Sequence, residues 1–112
     1  MDKEYLYVGH YMDLDGKYIL KVGTTKDLDR RQKEHTRSYR KASKCPMSLD
    51  SEFVYDWHIS LSKYNTLRYE DKTKALWKEE NLGEFIRNDR FKCAEKPSTV
   101  SVIVRKIYEI IL

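Results

Sequence analysis

Arg31 and His35 close the run Val22-Gly23-Thr24-Thr25-Lys26-Asp27-Leu28-Asp29-Arg30-Arg31-Gln32-Lys33-Glu34-His35. If the second half of that run is helical, the two side chains leave one face of the helix a turn apart. A guanidinium that keeps its charge beside an imidazole that titrates near neutrality suits work on phosphate esters. Hydrolysing a phosphodiester needs an activated water, neutralisation of charge building on the phosphoryl oxygens and help for the leaving oxygen. A helix this charged is equally often a solvated face, so the surrounding elements have to decide between the two readings.

Glu4 to Met12 has a strand-like alternation, with Tyr5, Tyr7 and Tyr11 on one parity. Asp13-Leu14-Asp15-Gly16 then breaks the pattern with a hairpin signal, and Tyr18 to Val22 forms an apolar return strand expected at the sheet centre. Thr25 or Asp27 can cap a helix from about Leu28 to about Ala42, whose few apolar positions after Leu28 are best met by Tyr39 and Ala42. Cys45-Pro46 ends it. Ser51 to Leu61 predicts a third strand with Phe53, Tyr55, Trp57 and Ile59 on one face. Asn65 or Thr66 opens a second helix that stops before Leu82-Gly83 and carries Tyr69, Thr73 and Leu76 on a stripe, with Glu70 beside them. Glu84-Phe85-Ile86 and Arg90-Phe91-Lys92 are too short to assign. After Pro97, Val100, Ile103, Ile107 and Ile111 form an apolar helical face, though their β-branched content also suits a strand. The expected fold is α/β (α+β): a three-stranded, mainly antiparallel sheet flanked by helices, in the order β-β-α-β-α plus a C-terminal helix or strand.

At 112 residues the chain has room for one core and no separate substrate domain. We read a single domain over 1–112, with a motif core at about 4–86 and a C-terminal extension at 87–112. Lys plus Arg number 22 against 18 Asp plus Glu, and the excess is local: Lys26, Arg30, Arg31, Lys33, Arg37, Arg40, Lys41 and Lys44 face only Asp27, Asp29 and Glu34 in the first helix and its exit. That density points to a polyanion. Cys45 and Cys93 are isolated, which argues against a structural zinc site and favours reduced thiols over a single long-range disulfide. The N-terminus has acids and no long apolar run, so neither a signal peptide nor a membrane span is expected, and the cytoplasm of a bacterial or virus-infected cell is the default location.

Ordered motif matches then give a resemblance. Tyr5-Leu6-Tyr7, Lys21-Val22-Gly23 and the register of Thr25, Leu28, Arg31 and His35 resemble the G-I-Y, K-I-G and T-x-x-L-x-x-R-x-x-x-H motifs of the GIY-YIG nuclease superfamily, nearest its small phage and bacterial branch. The likeness covers about Tyr5 to Phe85 and is most specific from Gly23 to His35. It implies a metal-dependent endonuclease acting on DNA or RNA, as a monomer that nicks or a homodimer that cuts both strands. It implies catalytic roles for Tyr7, Lys21, Arg31, His35 and Glu70. Glu70, in Tyr69-Glu70-Asp71-Lys72-Thr73, stands for the family's metal-binding glutamate, ahead of Glu79 and Glu80, and would hold Mg²⁺ or Mn²⁺. Arg31 would hold the scissile phosphate, and Tyr7 or His35 would position or deprotonate the water. Lys21 replaces the second-motif tyrosine of many members, and would serve as a base or as a point charge on phosphate. Lys26, Arg30, Arg37, Arg40 and Lys41 are the expected nucleic-acid contacts. His10 and His58 read as structural, and Trp57 and Trp77 as core anchors. The competing reading is a catalytically silent module that binds nucleic acid or protein.

Overall fold

The computed structural model describes residues 3–79, 83–87 and 90–93. Its elements are β1 Lys3–Met12, β2 Tyr18–Thr25, α1 Leu28–Arg40, β3 Val54–Ser62, α2 Lys63–Glu79, β4 Gly83–Arg87 and β5 Arg90–Cys93. The β-β-α-β-α order is as expected, and the sheet is larger: five strands in the order β3-β1-β2-β5-β4, antiparallel at every pairing. The extra strands are the two segments that the pattern left unassigned. β5 lies along β2, where an open edge would leave a row of backbone donors and acceptors, and β4 covers β5 in turn. β2 is therefore the middle strand. The apolar segment after Pro97 lies outside the described residues.

Local chemistry fixes the joints. In the β1–β2 turn the Asp13 carboxylate accepts from the Asp15 and Lys17 amides (2.9 and 2.8 Å), and Gly16 takes the left-handed conformation (φ 76°) that closes it. Asp27 is the N-cap of α1, accepting the Arg30 amide at 3.1 Å. The helix ends at Arg40, a little short of Ala42, where the Lys41 amide turns back to the Ser38 and Tyr39 carbonyls. α2 starts at Lys63, directly from β3 and ahead of the expected Asn65 or Thr66.

One expectation for β3 fails. Val8 faces Trp57 across the ladder but Gly9 faces Tyr55, so Asp56 is an extra, bulged residue. The inserted residue reverses the parity: Phe53 and Tyr55 point toward α1, while Trp57, Ile59 and Leu61 point toward α2. Gly9 permits the bulge, because a Cβ there would run into the Phe53 ring and the Val54 carbonyl.

The sheet thus has two unlike faces. Leu6, Val8, Leu20, Val22 and Phe91 pack against Tyr69 and Trp77 of α2 in a mainly apolar core. The stripe on α2 is Thr66, Tyr69, Thr73 and Trp77, with Leu76 at its margin. On the other face Tyr7, Tyr11, Ile19, Met47 and Phe53 pack with Tyr39, Tyr55 and Leu28 under α1. Trp77 is a core anchor as expected, and Trp57 is half-buried against the same cluster. Cys45 is a free thiol, and Cys93 is buried in the core on the α2 side. No helix among the described residues is long and apolar enough to cross a membrane.

Candidate active site

Tyr7 occupies the middle of β1, opposite Gly23 in the β1–β2 ladder. A Cβ at Gly23 would run into the Tyr7 hydroxyl and ring, so the missing side chain makes the space in which Tyr7 lies. Its hydroxyl is 2.6 Å from His35 Nε2, and both side chains are buried. His35 is packed parallel to Tyr39 (ring centroids 5.0 Å, 6°) and against Phe53 (4.9 Å). Phe53 is itself fixed to α1, its amide donating to Thr36 Oγ1 (3.1 Å) and its carbonyl accepting from Gln32 Nε2 (2.8 Å). Tyr55 donates to the Leu28 carbonyl at 2.6 Å and holds the start of α1 to β3.

Burial sets the protonation states. Desolvation, helped by the charges of Lys21 and Arg31, pushes the His35 imidazolium down to about 3, so the ring is neutral at neutral pH. Desolvation holds the Tyr7 phenol well above its ordinary range, with Arg31 beside it opposing the rise. Two neutral groups therefore share one short hydrogen bond. Either the phenol donates to a bare Nε2 or Nε2–H donates to the phenolic oxygen, according to the imidazole tautomer.

Arg31 stands one turn before His35 and donates from Nη1 to Glu34 Oε2 at 3.0 Å. Burial works against its charge, but bonding to Tyr7 and Glu34 outweighs that and raises it further. Its Nε is buried and has no acceptor among the described residues. An orphaned buried donor is costly, and an anionic oxygen would relieve it.

Lys21 lies in β2 between Gly9 of β1 and Arg90 of β5, with 6% of its surface exposed. Desolvation brings its ammonium down to about 7. Glu70 favours the charge, while Arg31, Lys74 and Arg90 oppose it. Glu70 sits on α2, mostly buried, with its carboxylate 3.6 Å from Lys74 Nζ. Tyr7, Lys21, Arg31 and His35 are thus brought together beneath α1, and Glu70 reaches them through its field on Lys21. No hydrogen bond joins Glu70 to Tyr7, Arg31 or His35 among the described residues.

A metal site can be tested on this geometry. Among the described residues no three His, Cys, Asp or Glu side chains cluster as ligands. A hard divalent cation that keeps most of its water needs only one carboxylate, which Glu70 supplies, and the cation would have to displace the Lys74 ammonium now 3.6 Å from it. Zinc, which wants three or four protein ligands, finds no such set among the described residues.

Two contributions were missed in the sequence. Arg90 is buried beneath α1, donating from Nη1 to the Tyr11 hydroxyl (2.7 Å) and the Lys44 carbonyl (3.2 Å), with its guanidinium 5.1 Å from the centre of the Tyr39 ring. Nothing in Arg90-Phe91-Lys92 marks the arginine as inward-facing. Tyr39 was visible as an apolar position on α1 but not as the ring on which His35 stacks. The expected nucleic-acid contacts Lys26, Arg30, Arg37, Arg40 and Lys41 are all exposed on α1 or at its ends. Arg30 pairs with Glu34 at 3.5 Å and Arg40 donates to the Ser51 carbonyl at 3.2 Å. His10 bonds the bulged Asp56 (3.0 Å), the structural role expected of it, while His58 stays exposed beside Tyr5.

No curated protein and no solved structure matches the chain. The family model described as T5orf172 domain matches residues 4–107, nearly the whole chain, and the protein belongs to the T5orf172 domain family.

Proposed function

We propose that the pocket under α1 is the active site of a metal-dependent endonuclease of GIY-YIG type that hydrolyses phosphodiester bonds in DNA. The observation that carries this reading is the convergence of the 2.6 Å Tyr7–His35 hydrogen bond with a buried Arg31 Nε that lacks an acceptor. T5orf172 is associated with GIY-YIG-like and nuclease-like phage domains, which supports the same chemistry.

Arg31 binds a non-bridging oxygen of the scissile phosphate through Nε and the guanidinium edge, and stabilises charge as it accumulates there. A water positioned by the Tyr7–His35 pair attacks phosphorus, its proton passes to neutral Lys21, and the bond to the leaving oxygen breaks as the Lys21 ammonium returns a proton to it. The neutral imidazole, which stays unprotonated, fixes the Tyr7 hydroxyl that positions the water. Lys21 gains and loses its proton near neutral pH, so it can exchange protons with the site or add positive charge to it. Glu70 would hold Mg²⁺ or Mn²⁺, which supplies Lewis-acid stabilisation of the phosphoryl and leaving oxygens. The cytoplasm of a bacterial or virus-infected cell and, for double-strand cutting, a homodimer complete the proposal.

One observation favours a second reading. A lysine at the second motif, with no cluster of three metal-ligating side chains among the described residues, would also suit a module that binds nucleic acid without cutting it. Supercoiled plasmid incubated with Mg²⁺ or Mn²⁺ separates the two. Wild-type protein should relax it, and Arg31→Ala and Glu70→Ala should not. Binding that weakens with salt, without relaxation by the wild type, gives the silent module instead. An active Glu70→Ala beside a dead Glu79→Ala or Glu80→Ala would move the metal and leave the rest intact.

A further inference from the structure

The basic residues of α1 separate into two sets. Arg31 turns inward to the pocket, while Arg30, Lys33, Arg37 and Lys41, spaced three, four and four residues apart, form one outward ridge. At 1.5 Å per residue the ridge is about 16 Å long, close to five 3.4 Å steps of a nucleic-acid strand. Arg30 alone of the four pairs with a carboxylate among the described residues. Beside the ridge, Gln32, Lys33, Thr36, Arg37, Arg40, Lys41 and Glu52 line an open cleft of about 570 Å³. Its floor is rigid, because Gln32, Thr36 and Arg40 all bond the backbone of the segment 51–53. Four cations there oppose one acid.

The cleft and the pocket lie on different sides of one helix about 10–12 Å thick, side chains included. One strand cannot fill both without wrapping around α1, whereas a duplex presents a second backbone on the far side of a groove about 12 Å wide. We infer that Lys33, Arg37 and Lys41, with Arg40, form a phosphate-tracking surface for the uncut strand of a duplex, so that α1 lies between the two backbones. This rests on the nucleic-acid reading of the pocket, and it specifies the substrate as double-stranded. The ridge supplies affinity and alignment and takes no part in the chemistry.

Binding of a labelled duplex of about 20 base pairs, and of one of its strands alone, tests the inference in EDTA across about 50 to 200 mM salt. The triple variant Lys33→Ala/Arg37→Ala/Lys41→Ala should lower the slope of log K against log salt on the duplex by about 2 to 3, at about 0.9 per lost phosphate contact. On the single strand the same variant should change it by less than about 1. Arg31→Ala should cost about 1 or less on either DNA. An unchanged duplex slope overturns the inference, and so does an equal loss on both DNAs, which would put the ridge on the cut strand. Wild-type protein that binds neither DNA refutes the underlying reading of the pocket as well. These side chains are exposed, so an unaltered unfolding midpoint should show that the variant keeps its fold.

Discussion

The two faces of the sheet solve different problems. Toward α2, Leu6, Val8, Leu20, Val22, Phe91 and Trp77 form a mainly apolar core, and its buried polar contacts include Thr73 donating back to the Tyr69 carbonyl at 2.7 Å and Thr66 donating to the Glu4 carboxylate at 3.3 Å. Toward α1, the space is filled by four tyrosines, a histidine, a lysine and two arginines, held by hydrogen bonds and ring stacking. Carrying so many polar groups inside a 112-residue domain costs stability, because each must be desolvated and then satisfied. The contrast teaches a division of labour: the α2 face supplies the folding free energy that the α1 face spends on holding Tyr7, Lys21, Arg31 and His35 in place.

The comparison breaks most visibly at Trp77. Trp77→Ala should lose about 3–5 kcal/mol by urea denaturation, because a fully buried indole leaves a cavity, and that is enough to unfold a marginal small domain. An equal loss from Tyr39→Ala would mean that both faces stabilise alike.

Acid is the next test. The folded His35 titrates at about 3, against about 6.5 unfolded, so between those values the unfolded chain binds the extra proton. Stability should therefore rise with pH across that window and be lost as pH falls through it, by up to several kcal/mol. His35→Phe should flatten that part of the urea-midpoint profile. A similar fall in the variant would place the acid sensitivity elsewhere.

Gly23→Ala should cost about 1–3 kcal/mol and displace Tyr7, reducing any cleavage with it. Gly16 meets nothing within 4 Å and serves only its turn conformation, so a substitution there should cost stability without touching activity. Lys21→Met should act in the opposite direction. The folded lysine titrates at about 7 and the unfolded one at about 10.4, so its presence leaves stability rising with pH between those values and lower below them. The methionine variant should be more stable by about 1 kcal/mol or more at neutral pH, and inactive.

Much of this was legible in the sequence, for identifiable reasons. β1, β2, α1, β3 and α2 follow from alternation, the Asp15-Gly16 turn and the Asp27 cap. Helical spacing puts Arg31 and His35 on one face of α1, and the motif resemblance, not the spacing, singles them out as site residues. β4 and β5 were not legible, because four or five residues cannot display a period and their pairing depends on the free edge of β2. The bulge at Asp56 was hidden because it depends on Gly9, a residue on another strand, so Phe53 and Trp57 were placed on one face when they lie on two. Arg90 was invisible for a related reason: a charged residue in a short strand looks solvated until its cross-strand partner, here buried Lys21, is known. The depressed titration of Lys21 likewise comes from burial, which residue type does not report.

Single-turnover cleavage of supercoiled plasmid by Tyr7→Phe tests the central claim most directly, since it removes one oxygen atom and leaves the ring packed against Gly23. Losing that hydroxyl's bond to His35 should cost about 1–3 kcal/mol of stability, leaving a folded protein, while the rate should fall by about 100-fold or more. A Tyr7→Phe protein that cleaves at the wild-type rate would contradict the account, and would leave the buried polar face of α1 as structure alone.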